Sequence, residues 1–289
     1  MQIVLNGLVS GVIIALLAVA FQAVYLPTKI FFFGLAGIYV VAPYVCHTIL
    51  AIGVPWPVAV LAGFASSIAL SVLMEWASHG RLAKRNAPGA VQLIASLGLS
   101  IVAIQAVVLT WGNGTRTLRT GTDLTLQIGP VAVTGSQCAT VAVGSAILVG
   151  LAIFLKRAKV GIRFVAMSEN PVQFALYGYN VGHYRYVGFA LAGIFAAAAS
   201  LLAAYDVGFD PNVGLRAILL AIVAVIVGGQ GSFLGPVLGA LVLGLVRAEV
   251  VWLFSARWQD AATFCMLALF LLLRPQGLLG KRRRLESDI

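Results

Sequence analysis

Few residues in this chain have types and spacings suited to chemistry, and the patterns they form exclude most reactions. Arg247 and Glu249 are the charged residues read inside an apolar stretch, where ionisable groups are costly and mark function. Two residues apart on a helix, they point to nearly opposite sides. Each is therefore expected to pair with another helix or subunit, with a role along a solute pathway as the alternative. His47, His79 and His183 are isolated, and Cys46, Cys138 and Cys265 lack metal-ligand spacing, so the cysteines read as small buried hydrophobes. No G-x-x-x-x-G-K-[ST] stretch is present, which excludes nucleotide hydrolysis through a P-loop on this chain. No catalytic, metal-binding or cofactor-binding residue is predicted.

Uncharged polar residues are more numerous. Ser96 and Ser100 lie one helical turn apart around Gly98; small and hydroxyl residues let membrane helices pack closely, and they could instead line a path for a hydrophilic solute. The glycines Gly228, Gly229, Gly231, Gly235, Gly239 and Gly244, with Ser232 among them, allow close helix contact or a hinge for alternating access.

The elements that must position these residues follow from composition. The 289 residues are 61% hydrophobic and 10% charged, with mean hydropathy +1.02, against about 25% charged residues in soluble domains. The sequence therefore predicts an all-α, polytopic transmembrane bundle of eight or nine spans forming one domain, 1–289. Candidate spans are 3–24, 30–50, 57–76, 91–111, 138–155, 186–204, 216–228, 237–255 and 260–273. The two short ones are 216–228 and 260–273, and the first runs into a glycine-rich stretch near 228–236 that reads as a broken or re-entrant segment. Residues 3–24 read as a retained first helix, because Met1-Gln2-Ile3 lacks the basic region of a cleavable signal.

The net charge of +10 does not point to nucleic acid, because the basic residues sit in short runs between spans. Fourteen of the nineteen fall on one side: Lys29, Arg81, Lys84, Arg85, Lys156, Arg157, Lys159, Arg163, Arg185, Arg274, Lys281, Arg282, Arg283 and Arg284. Arg116, Arg119, Arg216 and Arg257 fall on the other. That asymmetry predicts a cytoplasmic C-terminus and an N-terminus outside. The outer loop 112–136, with Asp123, reads as a cap or hairpin. The inner loop 156–185 reads as short amphipathic helices interrupted at Pro171 and stopped at Gly178, either resting on lipid headgroups or docking a cytoplasmic partner.

Two motifs then carry a resemblance. Gly228-Gly229-Gln230-Gly231-Ser232 with Gly235, Gly239 and Gly244 is similar to "GGxGSxxGxxxGxxxxG", and Arg274-Pro275-Gln276-Gly277-Leu278-Leu279-Gly280 to "RPQGLxG". Both resemble permease subunits of branched-chain amino acid ABC importers, the LivH-like subunit in particular. Asn6-Gly7-Leu8 and the stretch Leu93–Ser100 are similar to the family's first and fourth spans. The resemblance implies that the inner loop contacts an ATPase through a pattern near "RAxxxNPxxxxLxGxN", kept here as Ala166, Asn170, Pro171, Leu176, Gly178 and Asn180. Val165 stands at the family's Arg, with Arg163 two residues earlier and Glu169 inside the same stretch. A second departure is Phe32–Ala36, where the family carries "NFAHG"; if that region forms part of the translocation path, loss of the polar Asn and His implies a substrate other than the typical one.

The reading is thus a permease subunit of an ATP-driven importer in a bacterial-type inner membrane. Its expected partners are a second related permease, two cytoplasmic ATPases holding ATP and Mg, an extracytoplasmic solute-binding protein and the lipid bilayer. Branched-chain or other hydrophobic amino acids come first as substrate, then urea or short amides. A stand-alone secondary carrier or channel is the alternative from another class, and it would need ion-coupling carboxylates mid-span, where only Glu249 is available. An intramembrane enzyme would need an acid/base or metal cluster that the sequence does not show.

Overall fold

A computed structural model of the chain describes residues 1–119, 125–128, 131–274 and 276–280. Asp123, Pro275, Lys281 and Arg282 to Arg284 lie outside the described residues. The described chain is a bundle of nine apolar helices, and seven of them are long and apolar enough to cross a membrane. The other two, α2 and α10, are apolar but shorter.

The helices begin and end where the local chemistry dictates. The first, α1 (Gln2–Thr28), carries no charge over 27 residues and stops at Lys29, whose φ of 57° is left-handed. A linker leads to α2 (Leu35–Ala51). Helix α3 (Trp56–Met74) continues through a π-helical turn, Glu75–His79, into α4 (Gly80–Lys84). The span predicted at 57–76 therefore runs eight residues further. Pro88 starts α5 (Gly89–Trp111). A two-stranded antiparallel hairpin follows, β1 (Thr125–Ile128) on β2 (Val131–Thr134), within the loop expected to form a cap or hairpin. A capping box between Thr134 and Gln137 opens α6 (Gly135–Arg157).

The remaining elements are α7 (Lys159–Glu169), α8 (Pro171–Leu176), α9 (Val181–Asp206), α10 (Val213–Gly228), α11 (Leu234–Leu253) and α12 (Gln259–Leu273). A 3-10 turn, Ala256–Trp258, lengthens α12. Of the two segments expected to be short, 216–228 is short, as α10, whereas 260–273 gains the 3-10 turn and reaches 18 residues; α2 is the second short helix.

Helices α1 and α9 form the buried centre, while α5, α6 and α12 present most of their surface outward. In lipid, apolar side chains gain little by leaving hydrocarbon, so helices associate through close backbone approach and hydrogen bonds. Both devices are present. A Cβ on Gly244 of α11 would lie 2.6 Å from the Gly11 Cα of α1, and one on Gly193 of α9 would lie 2.8 Å from the Ile68 Cα of α3. Ser71 Oγ donates to the Phe189 carbonyl at 2.6 Å, and Ser67 Oγ to the Ile38 carbonyl at 3.2 Å. In the first turn of α10, Gly214 abuts the Ala36 carbonyl of α2 with no space for a side chain.

Candidate functional site

At the end of the bundle where α1 finishes, the loop between α6 and α9 folds into a two-helix platform. Gly161 lets α7 turn tightly off α6, because a Cβ there would collide with the Phe154 carbonyl. Helix α7 buries Phe164 and Met167 completely and α8 buries Phe174, whereas Tyr177, the fourth position of the apolar spacing that suggests amphipathic helices here, is exposed. Asn170 sits between the two helices, and its Oδ1 accepts from the Val172 and Gln173 amides at 3.1 and 3.0 Å. Pro171 occupies the first position of α8, where its missing N–H is no loss. Gly178 has a φ of +81°, and Asn180 Oδ1 caps α9 at the His183 amide, 3.3 Å away.

The outward surface of this platform holds the other predicted residues. Arg163, Ala166 and Glu169 are exposed, with the Arg163 guanidinium 5.1 Å from the Tyr179 ring centre. Leu176 and Tyr177 are each 82% exposed, beside exposed Val172. Apolar side chains offered to solvent on an ordered, capped surface suit contact with another protein.

Behind the platform lies the glycine stretch, which forms a turn, residues 229–233, between antiparallel α10 and α11. A helix ending among apolar neighbours must have its last carbonyls satisfied. The chain's C-terminal segment does this: the Leu278 and Leu279 amides donate to the Val227 and Gly228 carbonyls at 2.8 and 3.0 Å. Gln22, fully buried on α1, donates through Nε2 to the Gln230 and Ser232 carbonyls at 2.8 and 3.2 Å. Tyr25 Oη donates to Gln230 Oε1 at 2.8 Å, and Ser232 Oγ accepts from the Gly235 amide at 3.1 Å. The two motifs that carry the resemblance therefore touch each other. Gly229 has a φ of +104°, and a Cβ on it would fall 2.7 Å from the Gly280 nitrogen. Gly228 and Gly235 meet backbone to backbone across the turn, whereas Gly231 is exposed.

The turn and the platform share a cleft of about 630 Å³, lined by Tyr25, Lys29, Glu169, Gly231, Ser232 and Gln276 among others. They also touch directly, through Phe164 on α7 and Phe233 at the turn, with ring centres 6.1 Å apart. Among the described residues no group of His, Cys, Asp or Glu could hold a metal ion.

The other predicted residues fall elsewhere. Ser96 is buried on α5; its Oγ accepts from the Phe33 amide at 3.2 Å and donates to the Leu93 carbonyl at 2.7 Å, fixing the linker between α1 and α2. Ser100 is buried and bonds within its own helix, to the Leu97 carbonyl at 2.7 Å. Gly98 faces outward with open space around it. Arg247 pairs with the next helix rather than with Glu249: Nη1 reaches Asp260 Oδ1 at 3.2 Å and Thr263 Oγ1 at 2.8 Å, and Nη2 reaches Gln259 Oε1 at 3.2 Å. Glu249 is exposed. The reading that Arg247 and Glu249 alone are charged within spans is corrected by Glu75 and Arg185, which form a buried ion pair between the long α3–α4 helix and α9. Glu75 lay inside the predicted span 57–76 and was legible there; Arg185 was placed in a loop because α9 begins five residues earlier than predicted.

Nine apolar helices, a capped two-helix platform at one end and a glycine turn behind it define a multi-pass membrane protein. Residues 3–273 match the family described as branched-chain amino acid transport system / permease component, and the chain belongs to that family. It is 29% identical to the high-affinity branched-chain amino acid transport system permease protein BraD of Pseudomonas aeruginosa, over 97% of this chain and 96% of that one. It is 28% identical to the permease protein LivH of Escherichia coli K12 over the same shares. Among solved structures, PsaBC from Streptococcus pneumoniae in complex with Fab shares the fold, with a TM-score of 0.55 at 14% identity, covering 96% of this chain and 93% of that one. The chain is thus a permease subunit of an ABC importer.

Proposed function

We propose that this permease carries branched-chain or other hydrophobic amino acids inward, powered by ATPases on separate chains that dock on α7 and α8. The observation that carries the reading is the platform itself. Asn170, Pro171, Gly178 and Asn180 build it by capping and turning, while Leu176 and Tyr177 stand exposed on its outer surface and Arg163 lies there over the Tyr179 ring. The amino acid class is supported by the names of BraD and LivH, each matched over nearly its whole length.

In this reading the platform end, which gathers most of the basic residues, is cytoplasmic and the β1–β2 end faces outward. Two related permeases enclose the path, and an extracytoplasmic binding protein delivers solute to the outer end. Closure of the ATPases on ATP presses α7 and α8. The Phe164–Phe233 contact passes that push to the glycine turn, where α10 and α11 rock about backbone held by hydrogen bonds rather than by side chains. Access then alternates between the two faces.

Leu176→Asp with Tyr177→Asp tests the docking assignment. Both side chains are exposed, so the permease should keep its melting temperature in detergent while losing the ATPase on purification. Full retention of the ATPase by this variant would refute the platform as its seat.

A further inference from the structure

Between the platform and the centre of the bundle lies a charged cluster that neither the docking surface nor the glycine turn uses. Arg185 Nε donates to Glu75 Oε1 at 2.7 Å and Arg185 Nη2 to Glu75 Oε2 at 3.2 Å, a two-point contact. The Glu75 side chain is 2% exposed and that of Arg185 16%. His79, fully buried, closes the same π-helical turn and packs edge-on against Phe32 and Phe189, with ring centres 5.1 and 5.9 Å away.

The position of the pair gives it two ends. Arg185 stands in the second turn of α9, just beyond the Gly178 and Asn180 boundary that closes the platform. Glu75 opens the π-helical turn of α3, and single π-helical turns inside long helices frequently occur at functional sites. That turn in turn touches the linker between α1 and α2. Phe32 lies against His79, a Cβ on Gly34 would meet Met74 Sδ at 2.9 Å, and the Phe33 amide is held by Ser96. One contact thus joins the docking segment to α3 and to the start of α2.

A buried ion pair is weak evidence of stabilisation, since well-packed apolar side chains of similar volume are often as stable or more so. A two-point guanidinium–carboxylate contact does, however, fix a single geometry. We propose that Glu75 and Arg185 are positioning residues that transmit movement of the ATPase-docking helices to the π-helical turn of α3. This rests on the reading that α7 and α8 receive an ATPase.

The test uses the complex as it purifies, with its ATPase, and follows amide hydrogen exchange with and without Mg-ATP. In the native complex, nucleotide should change exchange in two places, residues 159–180 and residues 74–85. In the variant Glu75→Leu with Arg185→Met, which removes both charges together, the change at 159–180 should persist and that at 74–85 should vanish. Coupling between sites is typically a 5–150-fold effect, so leucine uptake per ATP hydrolysed by the same variant in liposomes should fall about tenfold or more. If the double variant does not accumulate in the membrane, Glu75→Gln, which keeps shape and one acceptor, is measured in its place.

A variant that folds and keeps the nucleotide-driven change at 74–85 overturns the link. So does a native complex in which nucleotide alters 159–180 and leaves 74–85 untouched. Absence of any nucleotide effect at 159–180 in the native complex overturns the docking reading instead, and the link with it.

Discussion

Arg247 reaches several acceptors on the neighbouring helix, and they are not equal in weight. Asp260 is 58% exposed, and exposed ion pairs contribute roughly 0–1 kcal/mol. Thr263 is 1% exposed, and its hydroxyl meets the guanidinium at 2.8 Å. Removing a buried partner of a charged donor costs about 1–3 kcal/mol. Asp260→Asn should therefore leave the detergent melting temperature nearly unchanged, while Thr263→Val lowers it measurably; equal losses would assign the anchoring to charge rather than to burial. Asn170 makes a second case. Its side chain holds two otherwise unpaired amides at the start of α8, and replacing a capping Asn by Ala costs about 0.5–2 kcal/mol. Asn170→Ala should loosen α8 and weaken ATPase retention, Asn170→Asp should preserve both, and unaltered retention by the Ala variant would remove the cap from the docking account. At this scale the sequence revealed which residues were unusual but not their partners. That Arg247 and Glu249 do not face each other followed from helix geometry; that Arg247 meets α12 depended on how two helices cross.

The helices themselves were largely legible, because runs of apolar residues broken by proline, glycine and charge leave few choices once the backbone must satisfy itself in lipid. The errors lie where a helix ignores local cues. The span expected at 57–76 stops short, since the helix runs on through the π-helical turn and α4 to Lys84, with Arg185 neutralising Glu75 and aromatic rings enclosing His79. Helix α10 starts at Val213, three residues before the expected 216, and Gly214 in its first turn lies against α2. The glycine-rich stretch was recognised as special, but its positions looked interchangeable. The structure separates them, since Gly229 needs φ +104° and lies against Gly280, whereas Gly231 is exposed. Gly229→Ala should reduce both stability and transport, and Gly231→Ala should be tolerated. Equal sensitivity in uptake assays would mean that the turn does not depend on close packing with the C-terminal segment.

For the whole molecule, the two motifs that carried the family resemblance are far apart in sequence and adjacent in space: the C-terminal segment supplies the hydrogen bonds that finish α10, and α1 supplies those that hold the turn. The turn meets the platform through one aromatic contact, which places the proposed source of motion next to the proposed hinge. Contact between the motifs could not be read from the chain, because it is made by backbone groups that carry no sequence signature. The central claim is that this permease is driven by an ATPase held on α7 and α8. Its most direct test is to purify the tagged chain in mild detergent, identify what accompanies it by mass spectrometry, and measure leucine uptake by the recovered assembly in liposomes with and without ATP. The account predicts a P-loop ATPase and a second permease in the preparation, with uptake only when ATP is supplied. Recovery of this chain alone, transporting without ATP, would contradict it.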